Sequence, residues 1–146
     1  MPGLEELTRR FQGDRFAALA GVEIREAEPG RAVCAMPLEN RHMNANGVPM
    51  GGAVFTLADF TYAVASNAFT EQIIVSQQVS ISFLAPAKGK VLLAEAKCLK
   101  SGRTTCLYAV DVRDETGVYV AHATVNGFVV KQVQARGTKE GGPPSE

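Results

Sequence analysis

The stretch 49–69, PMGGAVFTLADFTYAVASNAF, limits what this chain can fold into more than any other. Across residues 51–69 its one formal charge is Asp59, while Ala53, Val54, Phe55, Leu57, Ala58, Phe60, Tyr62, Ala63, Val64 and Ala65 spread over every side of a helical wheel. A helix apolar all round needs cover all round. A bilayer would supply it, but the stretch barely reaches the roughly 20 apolar residues of a span, opens on glycines and carries a carboxylate near its middle. The reading is a helix buried in a protein core.

A lone acid in such a helix needs an explanation, because burying an unpartnered carboxylate costs several kcal/mol or drives its pKa up. A structural Asp would turn to water or to an arginine. The head of the helix points to chemistry instead: Pro49 suits a first turn, and Gly51 and Gly52 leave backbone amides unshielded, a place for an oxygen that carries negative charge. Gly51 and Asp59 are eight positions apart, which at 1.5 Å per residue is about 12 Å along the axis. One helix cannot bring both to one carbonyl. Joint action requires Asp59 of one subunit and the Gly51 amide of another, hence a symmetric dimer with two composite sites.

Elsewhere the patterns are plain. Leu4, Leu7 and Phe11 recur at helical spacing among Glu5, Glu6, Arg9 and Arg10, which predicts a short amphipathic helix in a segment 1–15. Residues 14–20 add a further turn or two, stopped by Gly21. Alternation in Val22, Ile24, Ala32, Cys34 and Met36 around Pro29 and Gly30 predicts a hairpin. The loop 39–49 delivers the chain to the apolar helix. Residues 73–84, 91–100, 104–114 and 119–130 read as strands with short links, which predicts antiparallel pairing of consecutive strands. A main domain over 16–131 follows, with a disordered tail over 132–146, where Gly, Pro and charge leave nothing to bury. Two strands, one apolar helix and four strands are best arranged as an α+β fold, a curved antiparallel sheet wrapped around the helix.

Composition closes off other classes. With 146 residues, 46% hydrophobic and a formal net charge of zero, the chain forms one ordinary domain with no field to steer nucleic acid or anionic lipid. The beginning, MPGLEELTRRF, has acids and no signal-peptide core, so a cytoplasmic protein is expected. Cys34, Cys98 and Cys106 form no C-x-x-C pair, and His42 and His122 make no ligand cluster with them; reduced thiols and no metal are expected.

Asn44-x-x-Gly47-x-x-Met50-Gly51-Gly52, then Phe55, Leu57-Ala58-Asp59, Ile81-x-Phe83-Leu84-x-Pro86-Ala87 and Ser101-Gly102-Arg103-Thr104 resemble the hotdog-fold acyl-CoA thioesterases of the phenylacetate-degradation (PaaI) type, within the 4-hydroxybenzoyl-CoA thioesterase group. The likeness covers about residues 16–130 and is most specific at the glycine-headed helix and its acid. It implies a hotdog dimer, often paired into a tetramer, with active sites between subunits. It further implies that the Gly51 amide polarises a thioester carbonyl, that Asp59 of the partner subunit activates water or attacks directly, and that Asn44 holds substrate or water. Ser76 or Gln77 would support the acid. Gly47 and Gly52 belong to the substrate-binding loop and helix head.

Phe60 and Tyr62 are candidates for an acyl pocket, although core packing is the more frequent fate of helix aromatics. Lys88, Lys90, Lys100 and Arg103 are candidates for coenzyme A phosphates, with guanidinium geometry favouring Arg103. His42 and His122 read as non-catalytic. One residue departs from the family pattern: Met50 stands where a histidine usually precedes the glycine pair, replacing a hydrogen-bond donor by a thioether. The leading expectation is hydrolysis of a small or aromatic acyl-CoA thioester, with no cofactor beyond the coenzyme A of the substrate. The alternative is binding of acyl-CoA or another apolar ligand without turnover, and a hydratase is a weaker third, because no second acid or histidine is evidently placed for proton transfer to carbon.

Overall fold

In the structure, a computed structural model that describes residues 1–130, the apolar stretch forms helix α3, Gly51–Asn67. No proline or glycine interrupts it after its head, and Met50 supplies extended backbone (φ −63°, ψ 140°) at the N-cap. Its end is fixed by Asn67, whose side chain accepts from the Ile74 amide and donates to the Ile74 carbonyl, both at 2.9 Å. One amide thereby stitches the last turn of α3 to the strand that follows.

Two short helices come first, α1 (Leu4–Phe11) and α2 (Arg15–Leu19), then β1 (Glu23–Glu28) and β2 (Arg31–Pro37). After α3 come β3 (Ile73–Phe83), β4 (Val91–Ser101), β5 (Thr105–Asp114) and β6 (Tyr119–Val130). The strands form one six-stranded sheet in the order β1-β2-β4-β5-β6-β3, with every neighbouring pair antiparallel. Helix α3 packs against all six strands, so the sheet wraps it in the hotdog arrangement. In β5, Cys106, Tyr108, Val110 and Val112 are buried while their neighbours face outward, the period-2 signature of a sheet with one face on the core.

One pairing expectation is corrected. β3 and β4 are consecutive but do not pair; β3 pairs with β6 at one edge, and β4 pairs with β2. The residues 84–90 between them pass across the end of the sheet rather than forming a hairpin, because β2 already holds the free side of β4.

The segment 1–15 shares the same core. Leu7 is buried, Phe11 meets Phe60 edge to face at 6.0 Å, and Arg10 donates to the terminal carbonyls of α3 at Asn67 (2.8 Å) and Ala68 (3.2 Å), where a cation also suits the helix dipole. The proposed tail 132–146 lies outside the described residues. Among those described, no helix is long and apolar enough to cross a membrane.

The expectation that α3 is covered on every side needs revision for the single chain. Leu57, Ala58, Thr61, Val64 and Ala65 are buried, but Gly52, Phe55, Thr56, Asp59 and Ala63 are exposed or half-buried. At 100° per residue these five form one stripe about 100° wide. The lone acid stands in the middle of it.

Candidate active site

The loop before α3 is built to present the helix head. His42 is buried, accepting the Glu39 amide at Nδ1 (2.9 Å) and placing Nε2 at 2.7 Å from the Ala20 carbonyl. These two bonds require the Nε2–H tautomer. The His42 carbonyl takes the Met50 amide at 2.8 Å, so this histidine is a strut that joins α2 to the residue in front of Gly51. Asn44 forms the next turn: its Oδ1 accepts from the amides of Asn46 (2.9 Å) and Val48 (3.3 Å), while Gly47, at φ +75°, supplies the left-handed residue the turn requires. The side-chain Nδ2 of Asn44 donates to no protein acceptor among the described residues, and Asn44 and Gly51 line the same cavity.

That cavity, of about 480 Å³, is bounded by the loop at Asn44, Val48 and Pro49, by Gly51 and Val54 of α3, and by Phe83 to Ala87 beyond β3. Met50 accepts the Ala53 and Val54 amides, whereas the amides of Gly51 and Gly52 donate to no protein acceptor among the described residues. Both point out of the positive end of the helix. A β-carbon on Gly51 would lie 3.2 Å from Cζ of Phe83, so the half-exposed ring that covers the helix head would have to shift by a few tenths of an ångström to admit one. Met50 is more than half exposed and folds its methyl over Gly52.

Asp59 lies in a second cavity of about 150 Å³, lined by Asp14, Phe16, Ala17, Phe55, Thr56 and Phe60. Burial, and after it the charge of Asp14, raises its pKa above the ordinary carboxylate value. The helix is continuous from Gly51 to Asp59, so the axial separation of about 12 Å holds. The two groups open into different cavities of one chain.

The structure brings Asn44 and Gly51 together, and Phe60 to Asp59. Tyr62 is set apart in the core, edge to face with Tyr108 at 5.2 Å and donating to the Val75 carbonyl at 3.2 Å. Ser76 and Gln77 are exposed on the edge strand β3, where the register slips between Ser76 and Gln78 and leaves Gln77 as the extra residue of a bulge. Ser76 pairs with Gly127, on the face toward α3. Arg103 lies in the β4–β5 turn, the length of β4 or roughly 33 Å from the Phe83–Ala87 wall, whereas Lys88 and Lys90 follow that wall directly in the chain. His122 sits on the outer face with its Nδ1 2.8 Å from Asp111. Asp14 was missed in the sequence; its only signal there was a helix-capping residue type ahead of α2. Among the described residues, no cluster of side chains is suited to a metal ion.

A glycine-headed helix with one half-buried acid, wrapped by an antiparallel sheet, defines a class. The thioesterase superfamily profile matches residues 46–121, more than half of the chain, and this chain belongs to that superfamily. Human acyl-coenzyme A thioesterase 13 is 34% identical over 107 residues, 70% of this chain and 76% of that protein. The acyl-coenzyme A thioesterase PaaI of Escherichia coli K12 is 29% identical over 112 residues, 76% of this chain and 79% of that one. Among solved structures, the PaaI protein of the E. coli phenylacetic acid degradation operon superposes with a TM-score of 0.82 over 88% of this chain and 94% of its own at 24% identity, a likeness of fold. A hypothetical thioesterase of Streptococcus pneumoniae TIGR4, solved with coenzyme A, gives 0.75 over 85% of this chain and 99% of its own at 30% identity.

Proposed function

We propose that the protein hydrolyses a small or aromatic acyl-coenzyme A thioester at a site shared by two copies of the chain. The observation that carries this reading is the pairing, on one helix, of a Gly51 amide that has no protein acceptor among the described residues with a half-buried acid at Asp59, too far apart to serve one carbonyl from the same helix. In the shared site the Gly51 amide of one subunit receives the carbonyl oxygen. Asp59 of the other takes a proton from water as the water oxygen bonds to the carbonyl carbon. Collapse of the tetrahedral adduct breaks the C–S bond, and the thiolate leaves to be protonated as coenzyme A. Asn44 orients the water or the acyl group, and Ser76 or Gln77 supports Asp59. The walls Phe16, Phe55 and Phe60 beside the acid suit a compact apolar acyl group. No cofactor enters beyond the coenzyme A of the substrate.

Two features support a second copy. The open stripe of α3 is largely apolar, and β3, IIVSQQVSISF, is an eleven-residue edge strand without charge or proline. Proteins ordinarily blunt such an edge, and one left unblunted is set for pairing. A homodimer is the assembly this reading entails; its pairing into a tetramer and a place in the cytoplasm are proposed alongside it. Binding without turnover, which Met50 raised, is not favoured, because the amide and the acid are both in place and named relatives are thioesterases.

The test is release of free thiol from a panel of acyl-coenzyme A thioesters. Asp59→Asn should lose at least about 10²-fold in kcat, the usual worth of a positioned base. The wild-type rate should fall on its acid side at a pH above the ordinary carboxylate range of about 4, since a protonated Asp59 accepts nothing. Equal rates in wild type and variant would refute the assignment.

A further inference from the structure

Asp14 is placed where the mechanism has not used it. It is the residue before α2, the N-cap position, where an Asp side chain ordinarily accepts an amide hydrogen bond. Here it makes no such bond, and no hydrogen bond or ion pair holds its carboxylate among the described residues. It lines the same cavity of about 150 Å³ as Asp59, between Phe16 and Ala17 on one side and Phe55, Thr56 and Phe60 on the other. Two carboxylates therefore share one aromatic-walled space, although 45 residues separate them in the chain.

We propose that Asp14 serves the reaction as a positioning residue, a second carboxylate that acts on the attacking water through Asp59 from across their shared cavity. This rests on the reading of Asp59 as the base. A negative charge across a shared cavity disfavours the ionised form of a partly buried carboxylate such as Asp59. Burial is the larger cause that lifts Asp59, and Asp14 adds to it in the same direction. A carboxylate so lifted holds an abstracted proton more firmly and is the stronger base once ionised. The other groups near Asp59 do not oppose this. Tyr62, further along α3, is itself raised, chiefly by burial, and stays neutral through the physiological range; Arg15 does not line the cavity, and no cation does. Asp14 is also exposed, so its influence is open to salt.

Asp14→Asn removes the charge and keeps the shape. The expected result is an acid limb of the kcat/KM–pH profile moved to lower pH, a plateau kcat reduced a few-fold, and little change in KM. Asp14→Glu should restore the wild-type limb. About 1 M salt should move the wild-type limb toward that of Asp14→Asn and leave the variant in place. A capping or packing role would lower rates without moving the limb, and that outcome overturns the proposal. Titration of the Asp59 carboxyl carbon by NMR in wild type and Asp14→Asn gives a readout free of activity. The midpoint should fall in the variant, and an unchanged midpoint overturns the proposal even where no thioester is hydrolysed, a result that would separately defeat the function proposed above. Should Asp14→Asn unfold, Asp14→Ser, which keeps a capping side chain without the charge, carries the same comparison.

Discussion

The phenol oxygen of Tyr62 occupies the space a β-carbon on Gly127 would need, so helix α3 and strand β6 meet at a point where only glycine fits. The Cys106 sulfur lies 2.5 Å from the same position. Gly127→Ala must push both groups aside in a packed core, and overpacking of this kind costs about 1–3 kcal/mol. The urea midpoint should fall accordingly. Tyr62→Phe in the same background, which removes the hydroxyl, should recover part of the loss, and a double-mutant cycle showing no coupling between the two positions would contradict the contact.

Asp114 is a fold anchor. Its Oδ1 accepts the Thr116 amide (2.9 Å), the Thr116 hydroxyl (2.6 Å) and the Val118 amide (3.0 Å), while Oδ2 accepts the amides of Lys88 (2.8 Å) and Gly89 (2.9 Å). These bonds, the Thr116 hydroxyl foremost, hold its carboxyl well below the ordinary value. A depressed carboxylate contributes stability that is complete above its unfolded pKa of about 3.9 and is lost as pH falls toward the folded value. The urea midpoint should therefore drop between pH 6 and pH 3. In Asp114→Asn it should be lower already at pH 6 and fall less on acidification. An Asn variant with the full wild-type acid dependence would place the titration elsewhere.

Replacing His42 by alanine strands the Glu39 amide and the Ala20 carbonyl and frees the chain ahead of Met50. Losing two part-buried hydrogen bonds costs about 0.5–1.5 kcal/mol each, so the melting temperature should fall. Because the same loop carries Asn44 and leads into Gly51, KM for the thioester should rise as well. A variant that melts earlier with unchanged kinetics would show that the strut does not set the helix head.

How much of this was legible in the sequence depended on which physical signal each part leaves. The strands β4, β5 and β6 announce themselves by alternation, and Met50-Gly51-Gly52 marks a helix head because few other folds need bare amides there. The place of β3 beside β6 was not legible, since short links favour hairpins and nothing local in residues 84–90 records that β2 competes for β4. Tyr62 could not be assigned to the core or to a pocket because a wheel apolar all round has no phase; only the wrapping of the sheet shows that the open stripe runs through Gly52, Phe55, Asp59 and Ala63. Asp14 was hidden for a related reason. Its sharing of a cavity with Asp59 is set by the tertiary fold, and a single exposed acid before a five-residue helix carries no sequence pattern of its own.

The shared site makes a stoichiometric demand that a site within one chain does not. Gly51→Pro deletes the amide hydrogen while keeping the helix, because proline suits the first helical position and the extended backbone of Met50 tolerates a following proline. Gly51→Ala keeps the amide and meets the same Phe83 contact, and so controls for bulk. Gly51→Pro and Asp59→Asn should each be inactive alone. Co-expressed, they form mixed dimers in which one site joins an intact Gly51 to an intact Asp59 and the other joins the two lesions. Random pairing makes half of the dimers mixed, each with one working site of two, so the mixture should recover about one quarter of the wild-type rate. Were the amide and the acid to act within a single subunit, every chain would carry a lesion and co-expression would restore nothing.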